Sequence, residues 1–371
     1  MLLPMTYILL ALFIPLLQPP SRTNSQPNPA TQSSAPQLTS EQIASLQSAA
    51  AGGDATAQYK LALAFEKGDG VPQDMGKAFE WCKKSADQGN ADAEGELGVM
   101  YRLGEGVDEN RQLAVQWYEK ASRQGNARAM FNLGTAYYNG DGVPIDDSLS
   151  YAWFVLAKEA GSPEAVVAVA RGDSELPALR ITSAYKRLAQ LCEDGKYIPQ
   201  NQAESASWWL KAAMRGDPEA QLGIANMLIH GQGVAQDFSR ARYWCTEADK
   251  AGYAQGGYCL GYLYQHGLGL PTDAKKARTL YKAAAGQNDA FAIRALAQMD
   301  EAGEGGKVDL VGAFVWYAEL AGRKDTDALQ QLIRLKNKMS ANDWQKTEKQ
   351  LQRYHFDTQK VLAAMQASAA H

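Results

Sequence analysis

Along Ala91–Arg102 the small and apolar residues Ala93, Leu97, Gly98 and Tyr101 return at helical spacing on an otherwise polar segment. After Gly104 and Gly106 a second stripe, Ala114, Trp117 and Ala121, runs on to Gly125. This pattern predicts two antiparallel helices, A and B, joined by a glycine loop. Gly104 supplies the left-handed residue that ends helix A, and Gly106 keeps the loop tight. Asn110 stands where helix B begins, and its short side chain can accept from the unpaired N–H groups there.

The same pattern fills most of the chain. The loop glycine recurs at Gly68, Gly104 and Gly140, then at Gly195, Gly231, Gly267 and Gly303, with steps of 36 within each group. An Asn or Asp follows each time, at Asp74, Asn110, Asp146, Asn201, Asp237, Asp273 and Asp309. Trp81, Trp117, Trp153, Trp208, Trp244 and Trp316 share one position of helix B, with Leu280 in the remaining repeat. Self-similarity at a fixed period of this length is the mark of a stacked helical array. The expected fold is therefore all-α, a right-handed α-solenoid superhelix of stacked two-helix repeats. The tryptophans fall on the stripe of their small neighbours, so they are expected in the core and not as a stacking platform. Small residues at 98 and 114 let helix axes approach to about 8–10 Å.

These residues resemble the Sel-1-like repeat, a relative of the tetratricopeptide repeat. The motif A-x-x-x-L-G-x-x-Y-x-x-G-x-G-V, then D-x-x-x-A-x-x-W-x-x-x-A-x-x-x-G, is met almost fully at 57–89, 93–125 and 129–161, and well at 220–252 and 256–286. It is looser at 184–216, where Tyr197 replaces the second glycine, and at 292–322, where Asp300 replaces the aromatic. The resemblance covers about residues 42 to 353. It implies a scaffold or adaptor, in a family alike in architecture and diverse in task.

The flanks divide the chain further. Residues 1–21 carry no charged side chain, and Tyr7–Leu17 is nearly all apolar, the length of a signal-peptide core and short of a membrane span. An export signal is expected there, and with it a periplasmic or secreted protein; the alternative is a protein anchored in the membrane by this segment left uncleaved. Residues 22–38 are rich in Pro, Ser and Gln and read as a disordered tether. Thr39 and Gln42 form a capping box for a lone helix at 39–53 that seals the array. Repeats one to three then occupy 54–161, inserted helices 162–193 lead into repeat four, repeats four to seven occupy 194–325, and closing helices 326–371. Both the insertion and the end hold a helix pair broken in the middle, so the chain reads as two arrays finished alike.

Chemistry is sparse. A net charge of −4 gives no basic footprint for nucleic acid. No H-E-x-x-H, G-x-S-x-G, C-x-x-C or phosphate-loop pattern is present, and no cofactor, metal or catalytic site is expected. His230 and His266 are 36 apart and so share a face of adjacent repeats. Of the four cysteines, Cys82 and Cys192 take packing positions. Cys245 and Cys259 lie seven before and seven after the turn glycine Gly252, level in an antiparallel hairpin, which makes them a candidate disulfide. By analogy with the tetratricopeptide repeat, the residues of helix A off the core stripe line a groove that takes a protein or peptide. Here these are Tyr59, Arg102, Arg128, Phe131, Tyr138, Asn226, His230, Tyr258, Tyr262 and His266. The alternative is an enzyme, as for cysteine-rich relatives associated with β-lactams; this chain offers one cysteine pair where those carry many.

Overall fold

A computed structural model describes residues 37–353, together with 363 and 365. The N-terminal apolar segment, nearly all of the tether and most of 354–371 lie outside the described residues. Among those described there are 18 helices and no strand, and no helix is long and apolar enough to cross a membrane. The chain forms two compact units, Met1–Asn201 and Gln202–His371.

The first unit begins with α1 (Ser40–Ala51), opened by the Thr39–Gln42 capping box. Repeats one to three follow as α2 (Ala55–Lys67) with α3 (Met75–Asp87), α4 (Ala91–Leu103) with α5 (Arg111–Arg123), and α6 (Ala127–Asn139) with α7 (Asp147–Glu159). Two further helices, α8 (Pro163–Glu175) and α9 (Ala178–Asp194), both pack on α7. The second unit runs through α10 (Gln202–Met214), α11 (Pro218–His230), α12 (Phe238–Lys250), α13 (Ala254–His266), α14 (Ala274–Gly286), α15 (Ala290–Ala302) and α16 (Leu310–Gly322). It closes with α17 (Thr326–Lys338) and α18 (Ala341–Arg353), both packed on α16. Successive helices stack from α1 to α8 and from α10 to α17, and A helices also meet each other, α4 on α6, α11 on α13 and α13 on α15.

The boundary between units falls in the loop before α10, inside the fourth repeat, and not in the insertion. The loop after α9 explains why that helix belongs with the first unit. Tyr197, standing where other repeats have their second loop glycine, packs edge-on to Trp153 at 6.3 Å, and its carbonyl accepts from Ser122 Oγ at 3.0 Å.

Loop and cap chemistry follows the 36-residue period. Gly104 has φ 71° and receives no Cβ penalty for it. Gly106 has a second reason to be glycine: a Cβ there would run into the Met75 carbonyl at the start of the preceding helix B. Asp74, Asn110, Asp146, Asp237, Asp273 and Asp309 cap their B helices through the side chain. A second series, not anticipated from the sequence, caps the A helices: Asp54, Asn90, Asn126, Ser162, Asp217, Asp289 and Asp325. Tyr253 breaks this series and gives α13 no side-chain cap.

The tryptophan position is not the centre of the core. Trp153 and Trp208 are buried, but Trp81, Trp117, Trp244 and Trp316 are only half-buried. On Trp81 and Trp117 the open face is covered by a lysine one turn on: the ammonium of Lys84 lies 4.1 Å from the Trp81 ring centre, and that of Lys120 3.6 Å from that of Trp117. The position buried in every repeat is the next residue, Cys82, Tyr118, Phe154, Trp209, Cys245, Tyr281 and Tyr317. These side chains point at small residues on helix A. A Cβ on Gly98 would lie 2.5 Å from the Tyr118 ring, one on Gly134 2.6 Å from Phe154, and one on Gly261 2.5 Å from Tyr281. Asp300, the replaced aromatic, is buried and accepts from Trp316 Nε1 at 3.1 Å and from the Arg278 guanidinium.

Two substitutions separate the neighbouring positions. Tyr118→Ala should cost about 3–5 kcal/mol as a core cavity. Trp117→Ala, which removes a half-open ring, should cost only about 1–2 kcal/mol. Urea melts giving the reverse order would contradict this assignment of the core.

Candidate functional site: an uncharged cleft between A helices

In the second unit α11, α13 and α15 frame a cleft of about 480 Å³. Leu222, Gly223, Asn226, Ile229 and His230 come from α11, Gln255, Tyr258, Cys259 and Tyr262 from α13, and Phe291 from α15. No Lys, Arg, Asp or Glu is among these lining residues.

The local sequence explains the shape. Gly223 leaves room for Trp209 of α10, which a Cβ would meet at 2.9 Å, so the wall is recessed there. On α13 the pair Gly256–Gly257 lets the helix start close against α12; a Cβ on Gly256 would collide with the backbone of Asp249. That close approach sets Cys245 and Cys259 with Cα atoms 5.8 Å apart, and the two are joined as a disulfide across the hairpin. Cys245 is fully buried, whereas Cys259 is half-buried on the cleft wall. Cys82 and Cys192 are outside any bridge and buried. The Cys82 thiol donates to the Ala93 carbonyl at 3.3 Å, and burial, helped by Glu96 and Glu66, pushes it well above the usual thiol range.

Aromatic rings line up along the cleft. Tyr258 lies 5.6 Å from both Tyr281 and Phe291, and Tyr262 lies 4.4 Å from His266, measured between ring centres. Burial raises the Tyr258 hydroxyl above its ordinary range, with Tyr262 and Asp289 adding to it, so this group is a neutral donor and acceptor at physiological pH. Phe291 is 58% exposed despite its size. Exposed large rings on a cleft wall are the surface most able to gain from being covered.

Four of the ten candidate groove residues, Asn226, His230, Tyr258 and Tyr262, meet in this cleft, and His266 stacks on its edge. Sequence reasoning missed Phe291, though it is an apolar exception at a helix-A position that holds Asp92, Arg128, Glu219 and Gln255 elsewhere. In the first unit the candidates have a different setting. Tyr59, Arg102 and Tyr138 are half-buried, while Phe131 turns inward, 9% exposed and 5.3 Å from Phe154, and belongs to the core. Arg128 is ion-paired at 2.7 Å with Glu96, whose carboxylate is buried. Burial pushes the Tyr118 hydroxyl up to about 12, against the pull of Arg102. Among the described residues no cluster of three or more His, Cys, Asp or Glu could hold a metal ion.

Seven segments, 55–90, 91–126, 127–162, 182–217, 218–253, 257–289 and 290–323, match the Sel1 repeat. With most of its length so matched, the chain belongs to the Sel1 repeat family, whose members are typically scaffolds for protein–protein interaction. Two solved structures run along most of it. The protective antigen c5321 of uropathogenic Escherichia coli strains, which displays an SLR fold, is 27% identical, covering 89% of this chain and 72% of its own, with a TM-score of 0.45. A Sel1 repeat protein from Oxalobacter formigenes is 27% identical, covering 80% of each chain, with a TM-score of 0.38. No curated protein matches.

The bridge is open to direct counting. Thiol titration of the unfolded, unreduced chain should find two thiols, from Cys82 and Cys192, and four after reduction. Reduction should also lower the stability of the second unit by roughly 3 kcal/mol on the chain-entropy model. Four thiols before reduction would contradict the pairing.

Proposed function

We propose that this protein is a non-catalytic scaffold whose second unit holds an extended polypeptide by an aromatic or aliphatic side chain set into the uncharged cleft. The observation that carries this reading is the ring-lined wall of Tyr258, Tyr262 and Phe291, with no charged residue among those that line the cleft. Desolvating a charged side chain in such a cleft finds no oppositely charged partner among the lining residues, whereas an apolar one gains by every Å² it covers. Asn226, Gln255 and His230 at the walls supply hydrogen-bonding groups for a backbone. Tyrosine and other large rings are the side chains on which binding energy concentrates.

An exported location fits the same reading. It rests on the apolar stretch near the N-terminus and on the bridge, since disulfides persist in oxidising compartments.

Peptides selected from a random display library against the purified chain provide the test. They should carry an aromatic or aliphatic anchor with no charge at that position. Phe291→Ala and Tyr262→Ala should each weaken their binding by about 10- to 100-fold while leaving the melting temperature near that of the parent. Peptides that bind both variants as tightly as the parent would overturn the assignment of this cleft.

A further inference from the structure

Of the four cysteines, Cys82, Cys192 and Cys245 are fully buried, whereas Cys259 is half-buried and lines the cleft. The disulfide therefore has one open end, and that end lies on the wall of the cleft. Thiol–disulfide exchange requires the attacking sulfur to reach one sulfur of the bond while the other leaves. An attack on Cys245 would have to come through the core of α12. An attack on Cys259 needs only entry between α11 and α13, past Asn226 and Gln255.

We propose that Sγ of Cys259 is a thiol-exchange site reached through the cleft, taking a small monothiol of the glutathione class. The thiolate bonds to Cys259 Sγ and the Cys245–Cys259 bond breaks. The electron pair leaves on Cys245 Sγ, which takes a proton from solvent to replace the one the attacking thiol lost. The product is a mixed disulfide at Cys259 and a thiol at Cys245, with no net oxidation. Cys245 is fully buried in α12, away from the water that would solvate a departing thiolate. A sulfur leaving into such a setting leaves slowly, so the exchange is sluggish and one-sided. The adduct would occupy the space between Tyr258 and Tyr262, and in turn anything seated in the cleft would shut the thiol out. This last consequence rests on the binding reading above; the exchange site itself does not.

The full chain, treated with glutathione and quenched with acid and N-ethylmaleimide, should carry glutathione on the Cys259 peptide and maleimide on the Cys245 peptide. Glutathione on Cys245, an even split, or no adduct on the folded chain when the urea-unfolded chain forms one would each overturn the proposal. Asn226→Trp, which narrows the entrance, should slow adduct formation by about tenfold or more, while Tyr243→Trp, an exposed site on α12 outside the cleft, should leave the rate unchanged. Equal rates in the two variants would sink the idea. If circular dichroism shows Asn226→Trp unfolded, Gln255→Trp replaces it with the same expected outcome. A selected peptide that fails to protect Cys259, with the adduct pattern otherwise as stated, would count against the binding reading alone.

Discussion

A size match between two positions 20 residues apart governs how five of the seven helix pairs close. Where helix A has glycine, at Gly98, Gly134 and Gly261, helix B buries a ring, at Tyr118, Phe154 and Tyr281. Where helix A has Ala62 or Ala225, helix B has the small Cys82 or Cys245. A larger residue on helix A thus goes with a smaller one on helix B, the direction that close packing demands. Ala189 with Trp209 and Ala297 with Tyr317 do not follow the match, and nothing in the structure explains them. Cysteine enters helix B first as a small filler, and Cys82 shows that it needs no partner there. The bridge at Cys245 became available because the glycine pair at the start of α13 brings a second sulfur within reach.

The repeat, its helix pairs and its loops were legible because they obey fixed spacing and local chemistry. Gly104 and Asn110 announce a helix stop and start whatever surrounds them. The core assignment slipped by one residue because Trp117 and Tyr118 are adjacent large rings, and only the direction of the neighbouring helix decides which is enclosed. Composition pointed to the tryptophans; Gly98 was the better guide, since a missing Cβ marks where something large must fit. The caps of the A helices were equally visible at Asp54, Asn90 and Asn126, but they sit beside the turn glycines that drew attention first. Groove residues were harder. Off-stripe position alone cannot separate Phe131, which turns into the core, from Tyr258, which borders a cleft.

The A-helix surfaces of the two units differ in kind. In the first, Arg128 is tied to Glu96, and Arg111 to Asp141 across the loops of successive repeats, at 2.7 Å in both cases. Toward the end of the second, Arg294 pairs with Asp325 and Asp327, and Arg334 and Lys338 converge on Glu301. The exposed pairs among these contribute little stability, yet all of them neutralise opposite charges in place. The cleft of α11, α13 and α15 stands apart as a stretch where rings, not ions, face outward.

The bond between α12 and α13 also changes how the array can come apart. Repeats that touch only their neighbours unravel like a zip, from an end inward, each step independent of those beyond it. A covalent tie between helix B of one repeat and helix A of the next welds two links of that zip into one. An opening front that reaches α13 cannot pass into α12 without carrying both repeats, so the pair must open together or not at all. The weld also falls at the one A helix of the fifth to seventh repeats that lacks a side-chain cap, holding fast the spot where fraying would otherwise begin.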